Sequence, residues 1–114
     1  MGNPVVHFEI MGGDGERLKG FYSDLFGWKI DLSNPMNYGM VDTGGDGING
    51  GVGDGENFSG TRVYIAVPDL QEALDKIESA GGKTVMAPQE LPGGQVTLAM
   101  FEDPEGNLVG LVKG

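Results

Sequence analysis

Near the start of the chain the apolar positions change period once, and the change marks a strand followed by a helix. Val6, Phe8 and Ile10 alternate with His7 and Glu9, which gives an extended segment one oily and one polar face. From Leu18 the spacing lengthens: Leu18, Phe21, Tyr22 and Leu25 fall at i, i+3, i+4 and i+7, the stripe of an amphipathic helix. Asp14 is placed as its N-cap and Gly27 as the residue just past its end, so the spacing predicts a helix over Gly15–Phe26. The succession returns about 55 residues later. Thr61, Val63, Ile65 and Val67 alternate with Arg62 and Tyr64, and Asp69 precedes a stripe of Leu70, Ala73, Leu74 and Ile77 that ends at Gly81-Gly82. Glu72 completes a capping-box spacing, and the second helix is expected from Leu70 to Ala80. Leu18, Tyr22, Leu74 and Ile77 are expected to be buried, with Trp28 and Phe26 as further core. Identities across the shift are near chance, so the repeat rests on shared apolar positions and caps.

The remaining segments complete each half. Lys29 to Leu32 and Tyr38 to Asp42 read as strands around a Ser33-Asn34-Pro35 turn. Residues 43–55 hold seven glycines in thirteen positions. They read either as a flexible linker or as a tight turn followed by a fourth strand with small side chains. Gly45, Gly47 and Gly50 match a dinucleotide fingerprint, but no helix opens there to meet a pyrophosphate. Asp42, Asp46 and Asn49 lack the spacing of a calcium loop. In the second half, strands are expected at Lys83 to Met86, Val96 to Glu102 and Leu108 to Val112, with a loop over Pro88 to Gly94 and a turn at Asp103-Pro104-Glu105-Gly106-Asn107. The organisation is strand, helix, three strands, stated twice.

Composition narrows the partners. At 114 residues the chain is long enough to bury roughly 65% of its unfolded surface. It has no cysteine, which excludes thiolate-bound metal and a cysteine nucleophile and fits a reducing compartment. No apolar run is long enough to span a membrane and the N-terminus lacks a signal pattern, so a cytoplasmic protein is expected. A net charge of −10, spread along the chain, repels phosphate polymers and anionic lipid, and neither nucleic acid nor membrane is an expected partner. The serines have no nucleophile-elbow context, which disfavours triad hydrolysis.

These residues resemble the vicinal oxygen chelate superfamily, the group of glyoxalase I, extradiol dioxygenases and bleomycin-resistance proteins. The resemblance is carried by His7 seven before Asp14, Phe21-Tyr22, Phe26-Gly27-Trp28, Val67-Pro68-Asp69-Leu70, Gly81-Gly82-Lys83 and Asp103-Pro104-Glu105-Gly106-Asn107-Leu108. It runs over essentially the whole chain. It implies one α+β domain over residues 1–114, made of two paired βαβββ modules, at about 4–54 and about 60–113. Their curled, mixed sheet would form a cup with the helices outside, and the protein would be a homodimer. Val6, Phe8, Ile10, Val63, Ile65 and Val67 would then face the helices, and His7, Glu9, Arg62 and Tyr64 the cup.

Family enzymes hold a divalent metal on the first and last strands of each module. His7 matches the first of those positions and Arg62 its equivalent in the second module. Gly110 stands where such a member would show Glu, and the fourth position falls at Gly50 or Gly51. His7 is thus the one candidate metal ligand, and a cation at Arg62 opposes a divalent metal by several kcal/mol at about 4 Å. The expectation is no metal cofactor, with a divalent metal as the alternative.

The function expected from this set is binding of a small organic molecule, with contacts from His7, Glu9, Tyr38, Arg62, Tyr64 and Met100. The alternative is a lyase, isomerase or dioxygenase-like enzyme in which His7 and Glu9 are catalytic, His7 acting as base and Glu9 or Tyr64 assisting. Arg62 is open to two uses: an ion pair with Glu9, or a bidentate grip on a ligand carboxylate or phosphate.

Overall fold

Two aspartates start the two helices. Asp14 accepts a hydrogen bond from the Arg17 N–H at 3.1 Å, and Asp69 accepts one from the Glu72 N–H at 3.0 Å. Each thereby satisfies a donor that the first helical turn leaves without an intrahelical partner. In the computed structural model, which describes residues 2–32, 38–55 and 59–114, these caps open α1 (Gly15–Phe26) and α2 (Leu70–Ser79). Gly27 ends α1 at φ 69°, donating its N–H to the Ser23 carbonyl, a left-handed conformation that glycine adopts without strain. Eight strands accompany the helices among the described residues: β1 (Val5–Gly12), β2 (Lys29–Asp31), β3 (Gly39–Asp42), β4 (Gly50–Asp54), β5 (Gly60–Val67), β6 (Lys83–Glu90), β7 (Thr97–Glu102) and β8 (Leu108–Lys113). The order βαβββ occurs twice. The glycine-rich stretch forms a turn and then β4. The expected Ser33-Asn34-Pro35 turn lies outside the described residues.

By contacts the chain forms two units, residues 7–62 and residues 1–6 with 63–114. In the first, β4 runs parallel to β1 and antiparallel to β3, which pairs with β2. The helix-facing side carries Phe8, Ile10, Ile30, Val41 and Val52. Trp28 links this layer to α1, lying 5.5 Å from the Phe8 ring and stacked at 5.1 Å on Tyr22. In the second unit β8 runs parallel to β5 and antiparallel to β7, which pairs with β6. Its core is Val67, Leu70, Leu74, Ala99 and Leu111, with Ile65, Ala73, Ile77 and Phe101 packed against it.

The helical stripe of α1 is corrected. Its buried positions are Gly15 and Lys19, while Leu18 and Tyr22 are half-buried and Phe21, Leu25 and Phe26 are 53%, 61% and 61% exposed. Gly39 is bare on the helix side, where an added Cβ would collide with the Val52 carbonyl and the Ile30 side chain and would lie 3.4 Å from the Lys19 Cε. The lysine stem packs beside this bare position while its Nζ reaches the exposed Glu16 carboxylate at 3.1 Å, so that the methylenes are buried and the ammonium keeps a partner. Periodicity identified the stripe but not which part of it the strands would cover. Ile77, expected buried, is half-buried at the last turn of α2, and Val6 and Val63 are exposed. β6 extends to Glu90, through part of the expected loop.

Candidate functional site

Strand pairing sets which side chains share the face opposite α1. Glu9 pairs with Gly51, Gly51 with Met40, and Met40 with Asp31, so these four form one row across the strands, with His7 on the same face two residues before Glu9. Gly51 leaves a gap in this row. A Cβ there would collide with the phenol of Tyr38, and through the gap the Tyr38 hydroxyl reaches between His7 and Glu9.

Four residues from three segments of the chain meet there. The Tyr38 hydroxyl donates to Glu9 Oε2 at 2.8 Å and lies 3.1 Å from His7 Nε2. The two rings are nearly parallel, with an interplanar angle of 20° and centroids 6.4 Å apart. Arg62 Nε lies 3.1 Å from Glu9 Oε1, and the side chains of the pair are 8% and 12% exposed. The Arg62 contact is Coulombic, since its Nε–H is not aligned for a hydrogen bond. Burial holds the His7 imidazole below its ordinary pKa of 6.5, and the nearby charge of Glu9 offsets part of that shift. A neutral imidazole, a phenol and a compensated ion pair therefore make up this cluster.

Tyr64 and Met100 fall in the equivalent row of the other unit, where Tyr64 pairs with Gly110 and Gly110 with Met100. Tyr64 is buried at 4% exposure and Met100 half-buried. A Cβ on Gly110 would collide with the Tyr64 ring. Register makes Glu9 and Tyr64 equivalent, likewise Gly51 and Gly110. Gly51 rather than Gly50 therefore occupies the fourth position.

The same face of residues 7–62 also holds a cleft of about 450 Å³ lined by Lys29, Asp31, Met40, Asp42 and Asn49 among others. Met40 is 48% exposed there. Its alternation with Val41 was the available signal for its orientation, but alternation alone does not choose between the two faces of a strand.

A divalent metal does not fit these residues. His7 spends Nε2 on Tyr38, Gly51 and Gly110 offer no side-chain donor, and Arg62 brings a positive charge to the remaining position. Among the described residues no three His, Asp or Glu side chains cluster closely enough to hold a metal ion.

Comparison with known proteins matches residues 5–111 to the model of the Glyoxalase/Bleomycin resistance protein/Dioxygenase superfamily. A "Glyoxylase-like domain-containing protein" from Didymella fabae is 32% identical over 112 residues, covering 90% of this chain and 88% of that protein. A "Probable lactoylglutathione lyase" from Synechocystis sp. is 27% identical over 124 residues, covering 96% and 94%. Methylmalonyl-CoA epimerase from Mycobacterium tuberculosis superposes with a TM-score of 0.72 at 15% identity, covering 96% of this chain and 86% of that one, a likeness of fold.

Proposed function

The chain belongs to the Glyoxalase/Bleomycin resistance protein/Dioxygenase superfamily, and from that premise we propose that it binds a small organic molecule on the face carrying His7, Glu9, Tyr38 and Arg62, without a resident divalent metal. The observation that carries this reading is the Arg62–Glu9 ion pair at 3.1 Å. It puts a guanidinium, already compensated by a carboxylate, at a position where metal-dependent relatives place a ligand. The carboxylate also fixes the Tyr38 hydroxyl, so the face offers neutral hydrogen-bonding groups beside the exposed Met40 thioether, the mixture of apolar surface and few oriented polar groups that small-molecule sites use. A thermal-shift screen against a metabolite collection tests it. A true ligand at 100 times its dissociation constant adds about 2.7 kcal/mol of stability, and Tyr38→Phe should weaken its binding. Hits indifferent to Tyr38, His7 and Arg62 substitutions would sink the reading.

A second reading is favoured by the imidazole itself. His7 is held in place by Tyr38 and is neutral near pH 7 because burial lowers its pKa, which suits a general base in a lyase or isomerase. The relative named "Probable lactoylglutathione lyase" supports asking for lyase activity. Turnover of a lyase substrate that is lost in His7→Gln would decide for it.

A further inference from the structure

We propose that Tyr38 is a positioning residue that fixes His7 as the Nε2–H tautomer, making Nδ1 the basic nitrogen of the site. The argument is one of hydrogen-bond direction. Glu9, paired as a carboxylate with Arg62 at 3.1 Å, can accept but not donate. The hydroxyl 2.8 Å from it is therefore the donor. A phenol has a single proton, and once that proton points at Glu9 the oxygen can only accept on its other side. His7 Nε2, 3.1 Å away, must then supply the N–H, and in a neutral imidazole the lone pair falls to Nδ1. These two hydrogen bonds thus run toward Glu9: His7 donates to Tyr38, and Tyr38 donates to Glu9.

The consequence for chemistry rests on the function proposed above. A ligand group meeting Nδ1 would have to be a donor, a hydroxyl or an N–H, rather than a carboxylate. In the catalytic reading Nδ1 takes the substrate proton, the C–H electron pair stays on the substrate as a carbanion, and the imidazolium formed keeps its Nε2–H on Tyr38. The tautomer itself is a property of the unliganded protein and holds or fails without either reading.

His7 is the chain's one histidine, so a long-range proton–nitrogen correlation spectrum of the ¹⁵N-labelled protein, at a pH where the ring is neutral, reads the tautomer without assignment ambiguity. The wild type should show a protonated Nε2 and an unprotonated Nδ1. Tyr38→Phe removes the acceptor and should lower the tautomer ratio by roughly fivefold, the factor that one ordinary hydrogen bond supplies. Glu9→Gln should invert it: the amide would turn its oxygen to Arg62 and its NH₂ to Tyr38, and the phenol would then donate to Nε2. The backbone amide spectrum verifies folding for each variant. A wild-type ring protonated at Nδ1 would overturn the proposal, as would a ratio unmoved by Tyr38→Phe or a Glu9→Gln variant that keeps Nε2–H. The expected tautomer pattern with no ligand found in the screen would count against the functional reading alone.

Discussion

The phenol of Tyr38 stands where a side chain on Gly51 would begin. Glycine at that position is thus a requirement of the network, because any Cβ must push the ring off Glu9 and His7. Gly51→Ala is expected to cost about 1 to 3 kcal/mol through overpacking and to break the Tyr38 bonds to both partners. Urea denaturation reads the first effect and the His7 nitrogen signals the second. A variant with wild-type stability and an unchanged imidazole would show that the ring is not seated there.

Most of the elements were legible because each had a local cause. Alternation around His7 and Glu9 marked β1, and Asp14 and Asp69 marked the helix starts. The α1 stripe was legible only in part. Its contact with the strands includes the Lys19 stem beside Gly39, a residue distant in sequence, and no periodicity contains that information. At the site, the Glu9–Arg62 pairing was one of two open uses for Arg62, and the structure contains it. Tyr38 was expected among the ligand contacts. Its place between His7 and Glu9 depends on strand register, which brings Gly51 beside Glu9, and a sequence does not display register across strands.

The Arg62–Glu9 pair should behave as a buried pair does. Removing either partner leaves a charge in a site where both side chains are nearly covered, so Arg62→Ala is expected to destabilise by about 3 to 5 kcal/mol. The Glu9→Ala/Arg62→Ala double variant should cost less than the sum of the single ones, since neither charge is then left alone. Additive effects in urea titrations would mean that the two groups do not interact in solution.

In the other unit the helix cap and the core can be separated. Asp69→Ala should cost about 1 kcal/mol through its lost bond to the Glu72 N–H. Leu74, 1% exposed at the centre of the cluster, should cost about 2 to 5 kcal/mol when cut to Ala. Ile77→Ala should fall between them, because its side chain is only half-buried. An Ile77 effect above that of Leu74 would misplace the face of α2.

Stability should depend on pH through His7 with a defined sign. Its pKa is lowered in the folded protein, by burial first, so below 6.5 the unfolded chain binds a proton that the folded chain still resists. Stability therefore falls as pH drops from 6.5 toward the folded value, and levels off below it. His7→Gln removes this dependence, so the difference between the two denaturation midpoints reads the imidazole together with its coupling to Glu9. A difference independent of pH between 8 and 5, the span on either side of an ordinary histidine pKa of about 6.5, would contradict a buried neutral ring.

The metal question has a direct outcome. A divalent ion at His7 would have to take Nε2 from Tyr38 or use Nδ1, and would meet the Arg62 guanidinium held beside Glu9. Unit positive charges about 4 Å apart at an effective dielectric near 20 repel by roughly 4 kcal/mol, and Gly51 and Gly110 supply no carboxylate to compensate. Protein purified without chelator should therefore carry much less than one divalent metal per chain by elemental analysis. EDTA should leave its melting temperature and ligand binding unchanged, since a bound stabilising ion would reveal itself as a loss on removal. Arg62→Glu gives the converse test. It replaces the guanidinium with a metal-ligating carboxylate beside His7 and Glu9, and should raise zinc or nickel binding above the wild-type level. Stoichiometric zinc, nickel or iron in the wild type, lost together with His7 in His7→Gln, would show that the Tyr38 and Arg62 contacts give way to a metal and return the protein to the metal-dependent branch of its superfamily.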